Sequence, residues 1–202
     1  MPVHEVYRGE HGAEAPETGF HTRLPSISFG SKRAAEIYAR KPNNRTDLFA
    51  ARPRVRCFQI TIENPILDDP DDPFVDVSLL IEKLGEPFAR QMALRHAEHI
   101  RHTNNWEEEF SGHFDSVEDL LARAPERLGE LYMNAYPLLD DPDFIAAAAA
   151  AGFDGAIYAG TGENALEAEY RIFSADQALE LTDVVAPVVS QAGADGCDGP
   201  ST

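Results

Sequence analysis

The stretch Gly155-Ala-Ile-Tyr-Ala-Gly-Thr-Gly-Glu-Asn-Ala-Leu-Glu-Ala-Glu-Tyr-Arg-Ile-Phe173 decides how this chain is read. Gly155–Ala159 is short and apolar, Gly160 and Gly162 interrupt it, and Tyr170, Ile172 and Phe173 favour extended backbone. The pattern predicts a strand, a glycine-bearing loop and a second strand. Residues two apart on a strand share a face, so Glu167 and Glu169 are expected to project together. Neighbouring carboxylates repel, and a sheet gains nothing from them. The pair is either a solvated strand edge, where charge discourages strand addition, or part of a site that needs two acids side by side.

The start of the chain favours the second alternative. Val6-Tyr7-Arg8-Gly9-Glu10 reads as a short strand ending in Arg-Gly. Leu24-Pro-Ser-Ile-Ser-Phe-Gly-Ser31 then alternates serine with apolar residues, and Ser31 is a suitable N-cap for a helix over 32–39. In chain order the three pieces are an arginine, a Ser-x-Ser and a Glu-x-Glu. That set resembles the arginine–serine–glutamate class of ADP-ribosyltransferases. Ala35-Glu-Ile-Tyr-Ala39 resembles the A-x-x-Y-A that follows the second strand of that fold, and Val55-Arg-Cys-Phe-Gln-Ile-Thr-Ile-Glu-Asn-Pro65 resembles its third strand. Gly152-Phe-Asp-Gly-Ala-Ile-Tyr158 resembles the strand before the catalytic glutamate, and Tyr170-Arg-Ile-Phe-Ser-Ala-Asp-Gln-Ala-Leu179 the closing strand. The resemblance covers about 1–65 and 140–181 and is nearest to the small members found in bacteria and their phages. A sister class carries histidine in place of the arginine together with key tyrosines. Tyr38 fits either class, and Arg8 selects the arginine class.

The resemblance implies an α+β fold, a split β-sandwich with a helical insertion, and NAD bound in a cleft between two small sheets. Glu169 matches the carboxylate that stabilises positive charge on the ribose, and Glu167 the one that serves the incoming acceptor, often an arginine. Arg8 is expected to bind the diphosphate or ribose of NAD, because a guanidinium is permanently charged and forms paired hydrogen bonds. Ser26 and Ser28 would line the nicotinamide–ribose pocket, with Ile27 standing where the family more often has threonine. Phe29 and Tyr38 are candidates to pack on the nicotinamide ring, with core packing the simpler role for both.

The chain has 202 residues, 43% of them hydrophobic, which fits one globular domain with a sizeable core. Seventeen Lys and Arg against 35 Asp and Glu give a net charge of −18. Such a charge argues against general nucleic-acid binding and against docking on anionic membranes, and it is compatible with a basic protein partner. No apolar run approaches membrane-spanning length and no secretory signal is visible. The two cysteines, Cys57 and Cys197, make no disulfide framework, so a reduced, cytoplasmic setting is expected, in the producing cell or in a target host.

Asp68-Asp-Pro-Asp-Asp-Pro73 is read as an acidic, turn-rich break. Helices are expected within 77–104, interrupted at Gly85-Glu-Pro87, from the N-cap Ser116 with Val117, Leu120, Leu121 and Leu128 on one face, and from Asp141-Pro142 to Gly152. The organisation is one domain over 1–186, of which 74–151 is mostly helical insertion, and a disordered tail over 187–202. Strands, then helices, then strands point to α+β, and with no G-x-G-x-x-G opening a helix after a strand, a Rossmann site is not supported. His96, His99 and His102 sit three apart and are expected on a solvated helix face, with no metal assigned.

The expected activity is transfer of ADP-ribose from NAD to a protein acceptor, arginine among the candidate residues, by a bacterial effector or toxin or a phage inhibitor of a host system. The alternatives are an NAD glycohydrolase using the same pocket, and a non-catalytic acidic inhibitor or nucleic-acid mimic.

Overall fold

The computed structural model describes residues 2–10, 19–20, 22–40, 54–160 and 167–181. The expected tail, Cys197 and the loop over 161–166 lie outside the described residues. Among the described residues no helix is long and apolar enough to cross a membrane.

β1 (Val3–Glu10) and β3 (Arg54–Thr61) pair antiparallel with Val6 opposite Phe58 and Arg8 opposite Arg56, and the short β9 (Ala178–Glu180) adds to the far side of β3. A second sheet runs in the order β2 (Ile27–Phe29), β8 (Ala168–Ile172), β7 (Gly155–Ala159), β4 (Pro65–Asp69). β8 runs antiparallel to both of its neighbours, β2 and β7, and β4 lies parallel to β7. The strand–loop–strand expected over 155–173 is therefore the centre of this sheet. The stretch expected as one strand over 55–65 breaks at 62–64 and divides into β3 and β4, and β4 carries two of the acids expected in the turn, Asp68 and Asp69.

The two sheets share a core in which strand alternation turns Val6, Phe58 and Ile60 toward Ile27, Phe29 and Ile172. Among the described residues a backbone bridge stitches them. Tyr7 N–H donates to Gly30 O and Gly30 N–H to Tyr7 O, both at 2.9 Å, joining the end of β1 to the end of β2. The helix α1 (Lys32–Arg40) follows at once, with Ser31 Oγ accepting from Ala34 N–H at 3.1 Å as its N-cap. Its buried Ala35 and Ala39 sit on β1 and β3 with Val55.

The opposite face of the second sheet is covered by the segment from 74 to 150. A two-stranded pair, β5 (Phe74–Asp76) with β6 (Tyr132–Asn134), frames the helices α2 (Val77–Leu84), α3 (Glu86–Arg95), α4 (Ala97–Arg101), α5 (Val117–Arg123), α6 (Ala135–Leu139) and α7 (Pro142–Ala150). Their apolar residues, Leu80, Met92, Phe110, Leu120, Leu138 and Phe144 among them, form the larger core with Ala156 and Tyr158 of β7. Ser116 caps α5 by accepting from Asp119 N–H, and α7 ends at Gly152, whose φ of 92° suits glycine. Leu128 is buried as expected but belongs to a separate 3-10 turn, Pro125–Glu130, because Pro125 pushes Ala124 out of helical backbone.

The histidine triplet is not one solvated face. The helix breaks at His96, between α3 and α4, and His96 is buried with Nε2 3.3 Å from Asp141 Oδ2, while His99 and His102 are exposed. Asp141 itself caps α7 and accepts twice from Arg95 Nη1 at 2.9 Å, so a charged network takes up what looked like a free polar stripe.

Gly9 explains the Arg-Gly pair in the sequence. A Cβ placed there would lie 2.1 Å from the carbonyl oxygen of Ala35, so α1 can pack this closely on β1 only over a glycine. Gly9→Ala is expected to destabilise the fold by roughly 2 kcal/mol or more, as overpacking does. Urea unfolding checks this, and an unchanged midpoint would mean that α1 is not seated on β1.

Candidate functional site

The stitch between the sheets places Arg8, one residue after Tyr7, beside Ser28, two residues before Gly30. Arg8 Nη1 donates to Ser28 O at 2.8 Å, and Ser28 Oγ donates to Glu169 Oε1 at 2.9 Å. Three segments far apart in the chain thus converge at the edge strand β2. They line a cleft of about 360 Å³ together with Tyr7, Leu24, Tyr38, Tyr136 and Arg171.

Arg8 is largely buried, and burial pulls its pKa below the ordinary guanidinium value against the opposing pull of Glu10, whose Oε1 lies 3.6 Å from Nε. Glu10 is in turn held by Arg56 Nη1 at 3.1 Å and Arg54 Nη2 at 3.5 Å, and Arg56 also pairs with Glu180 on β9. The guanidinium facing the cleft is therefore fixed from behind by a cross-strand ladder of charges.

Glu169 is held from the other side by a residue the sequence reading passed over. Arg171 is 1% exposed, lies opposite Ser28 in the register of β2 and β8, and donates through Nε to Glu169 Oε1 at 2.9 Å and more weakly to the Tyr158 hydroxyl at 3.3 Å. Its Nη1 donates to Asp140 Oδ1 at 2.9 Å and to Ser26 Oγ at 3.2 Å, and its guanidinium lies 5.5 Å from the Tyr136 ring centroid. Burial works against the charge on Arg171, but Tyr158, Glu169 and Asp140 outweigh it and hold its pKa above the usual guanidinium value. Tyr158, opposite Glu169 in the register, has its pKa pushed up by burial and by that carboxylate, so it remains a neutral phenol.

The remaining expected residues divide. Ser26 is fully buried and donates to Leu139 O at 2.8 Å, a strut between sheet and α6 behind the cleft wall. Phe29 touches the cleft, but its ring packs between Phe20 and Phe58, with centroids 5.6 and 5.3 Å away, and serves the core. Tyr38 is half exposed on the cleft-facing side of α1. Glu167 reaches the same β2–α1 segment as Glu169 but three residues further on, where Ser31 Oγ donates to Oε2 and Arg33 Nη1 to Oε1 at 2.6 Å. Those bonds, the one from Ser31 first, hold its carboxyl below the usual carboxylate value.

The strand period could have found Arg171, since Glu-x-Arg places it on the face of Glu169. No local signal pointed to Asp140 and Tyr136, which α6 carries in from the helical segment. Chemically, the cleft offers an anion-binding guanidinium, an oriented carboxylate and a half-exposed rim of Leu24, Tyr38 and Tyr136 for a planar group.

Replacing Arg171 with methionine leaves Glu169 and Asp140 facing one another without their shared counter-charge. The expected loss is about 3–5 kcal/mol, the cost of removing one partner from a buried ion pair. Urea titration of Arg171→Met beside wild type measures it.

Comparison with protein-family models, with curated proteins and with solved structures returns no match.

Proposed function

We propose that this chain is an NAD-dependent ADP-ribosyltransferase with a split β-sandwich of the ADP-ribosyltransferase type, in which 74–151 is an inserted helical segment. The observation that carries the reading is the hydrogen-bonded succession Arg8, Ser28, Glu169, drawn from three segments into one cleft. In a protein of net charge −18, the largely buried guanidinium of Arg8 at the cleft supports a local contact for an anion such as a diphosphate. The cleft volume of about 360 Å³ suits the nicotinamide–ribose half of NAD.

In the reaction, the bond between nicotinamide and the ribose carbon breaks, and nicotinamide leaves with the electron pair. A nitrogen of the acceptor bonds to that carbon and releases a proton. Positive charge develops on the ribose as in glycoside cleavage, and Glu169, oriented by Ser28 and Arg171, is placed to stabilise it. Arg8 holds the anionic part of the substrate, and Tyr38 and Tyr136 flank the planar base.

One observation favours NAD hydrolysis as a second reading. Glu167 is bound by Ser31 and Arg33 and its carboxyl is held below its usual range, which makes it a weak base for activating an acceptor. Water needs no acceptor subsite.

Nicotinamide release and incorporation of labelled NAD into protein, measured side by side, test both. Glu169→Gln is expected to abolish release while the protein still folds. Glu167→Gln is expected to suppress transfer and leave slow hydrolysis. Full activity in Glu169→Gln would return the Glu-x-Glu to a strand edge, and no release from wild type would favour an acidic protein that acts by binding alone. Arg8→Ala is expected to weaken NAD binding by about 1.5–3 kcal/mol, the scale of a charge-assisted hydrogen bond. Calorimetry showing equal affinity would remove Arg8 from the site.

A further inference from the structure

We propose that Asp140 is a positioning residue for Glu169, acting through Arg171 to keep the carboxylate both fixed in place and electrically uncompensated. The inference rests on the reading of the cleft given above. Arg171 Nε bonds Glu169 and its Nη1 bonds Asp140, each at 2.9 Å, in a pocket where the guanidinium is 1% exposed. With Glu169 alone, that guanidinium would form a closed pair of no net charge. A carboxylate so neutralised offers little to a cation forming in the cleft, because field strength depends on the whole local cluster. Asp140 supplies the second negative charge. The three groups together carry one net negative charge, while the guanidinium still fixes the geometry of Glu169.

The placement of Asp140 is itself determined by the fold. It is the C-cap residue of α6, directly before the N-cap Asp141 of α7, so the turn between two helices sets its position. Ser26 ties the same turn to the sheet, donating to Leu139 O while accepting from Arg171. The helical segment thus supplies a charge to the chemistry as well as cover for the sheet.

The test is Asp140→Asn, with Asp140→Glu as the conservative control, read in two independent ways. In steady-state nicotinamide release, kcat of Asp140→Asn is expected to fall about 10-fold or more without a rise in KM for NAD, since only the charge felt by the forming cation changes. Asp140→Glu is expected to recover most of it. Unchanged kcat, or a loss confined to KM, would overturn the inference while leaving NAD turnover by the wild type intact. The second readout uses no NAD. Asp140 and Glu169 balance the same guanidinium, so the melting-temperature loss of Asp140→Asn with Glu169→Gln combined is expected to exceed the sum of the two single losses. Additive losses overturn the coupling. Greater-than-additive losses in the variants, with no nicotinamide released by the wild type, would refute the NAD reading and support the coupling of the three side chains.

Discussion

Two backbone hydrogen bonds between Tyr7 and Gly30 hold the architecture of the cleft. Each sheet is internally complete without them. Together they fix where the end of β1 stands relative to the end of β2, and the side chains follow from that. Arg8 comes next to Ser28, Ser28 reaches Glu169, and Ser31, one residue past the stitch, starts α1. The helix can lie this near only because Gly9 leaves space for the Ala35 carbonyl. Backbone pairing is a strong constraint here because buried N–H and C=O groups that lost their partners would be costly.

The distribution of charge runs opposite to the composition. In a chain with twice as many acids as bases, the described residues include two buried guanidiniums, those of Arg56 and Arg171. Each is surrounded by carboxylates and further oxygens, a carbonyl at Arg56 and hydroxyls at Arg171, rather than by a single partner. Arg56 binds Glu10, Glu180 and the Gly19 carbonyl and rests 4.8 Å from the Phe58 ring centroid, tying β1, β3 and β9 together. Arg171 does the same for the second sheet and α6. Buried ion pairs add little net stability, and their value lies in selecting one arrangement. In this protein both arrangements bear on the cleft, one behind Arg8 and one behind Glu169.

Much of the fold was legible in the sequence because its signals are local. Periodicity marked β7 and β8, Ser31, Pro87 and Ser116 marked helix starts, and Gly152 marked a helix end. The strands β5 and β6 were not legible, since three residues each leave no period to read and their pairing spans the helices from α2 to α5. The proximity of Arg8, Ser28 and Glu169 followed from motif order. The roles of Ser26 and Phe29 did not, because which serine faces a cleft and which way a ring turns are set by the packing of distant elements. His96 misled for the same reason: spacing of three implies a shared face only if the helix continues, and it breaks there. Asp140 carried no signal, since its significance lies entirely in the arginine it meets across the fold.

One consequence follows from the strand order of the second sheet. β8 is among the last elements in sequence, yet it lies between β2 and β7. β2 therefore waits for its neighbour in the sheet until β8 has been made, and the same strand that completes the sheet delivers Glu169 and Arg171. Pairing at such sequence separation is slow compared with local helix formation. A nascent or prematurely terminated chain thus holds Arg8 and Ser28 without the acid they address. The protein keeps its own clock: no copy that stops short of β8 has the assembled cleft, and whatever this site does waits for that strand to pair.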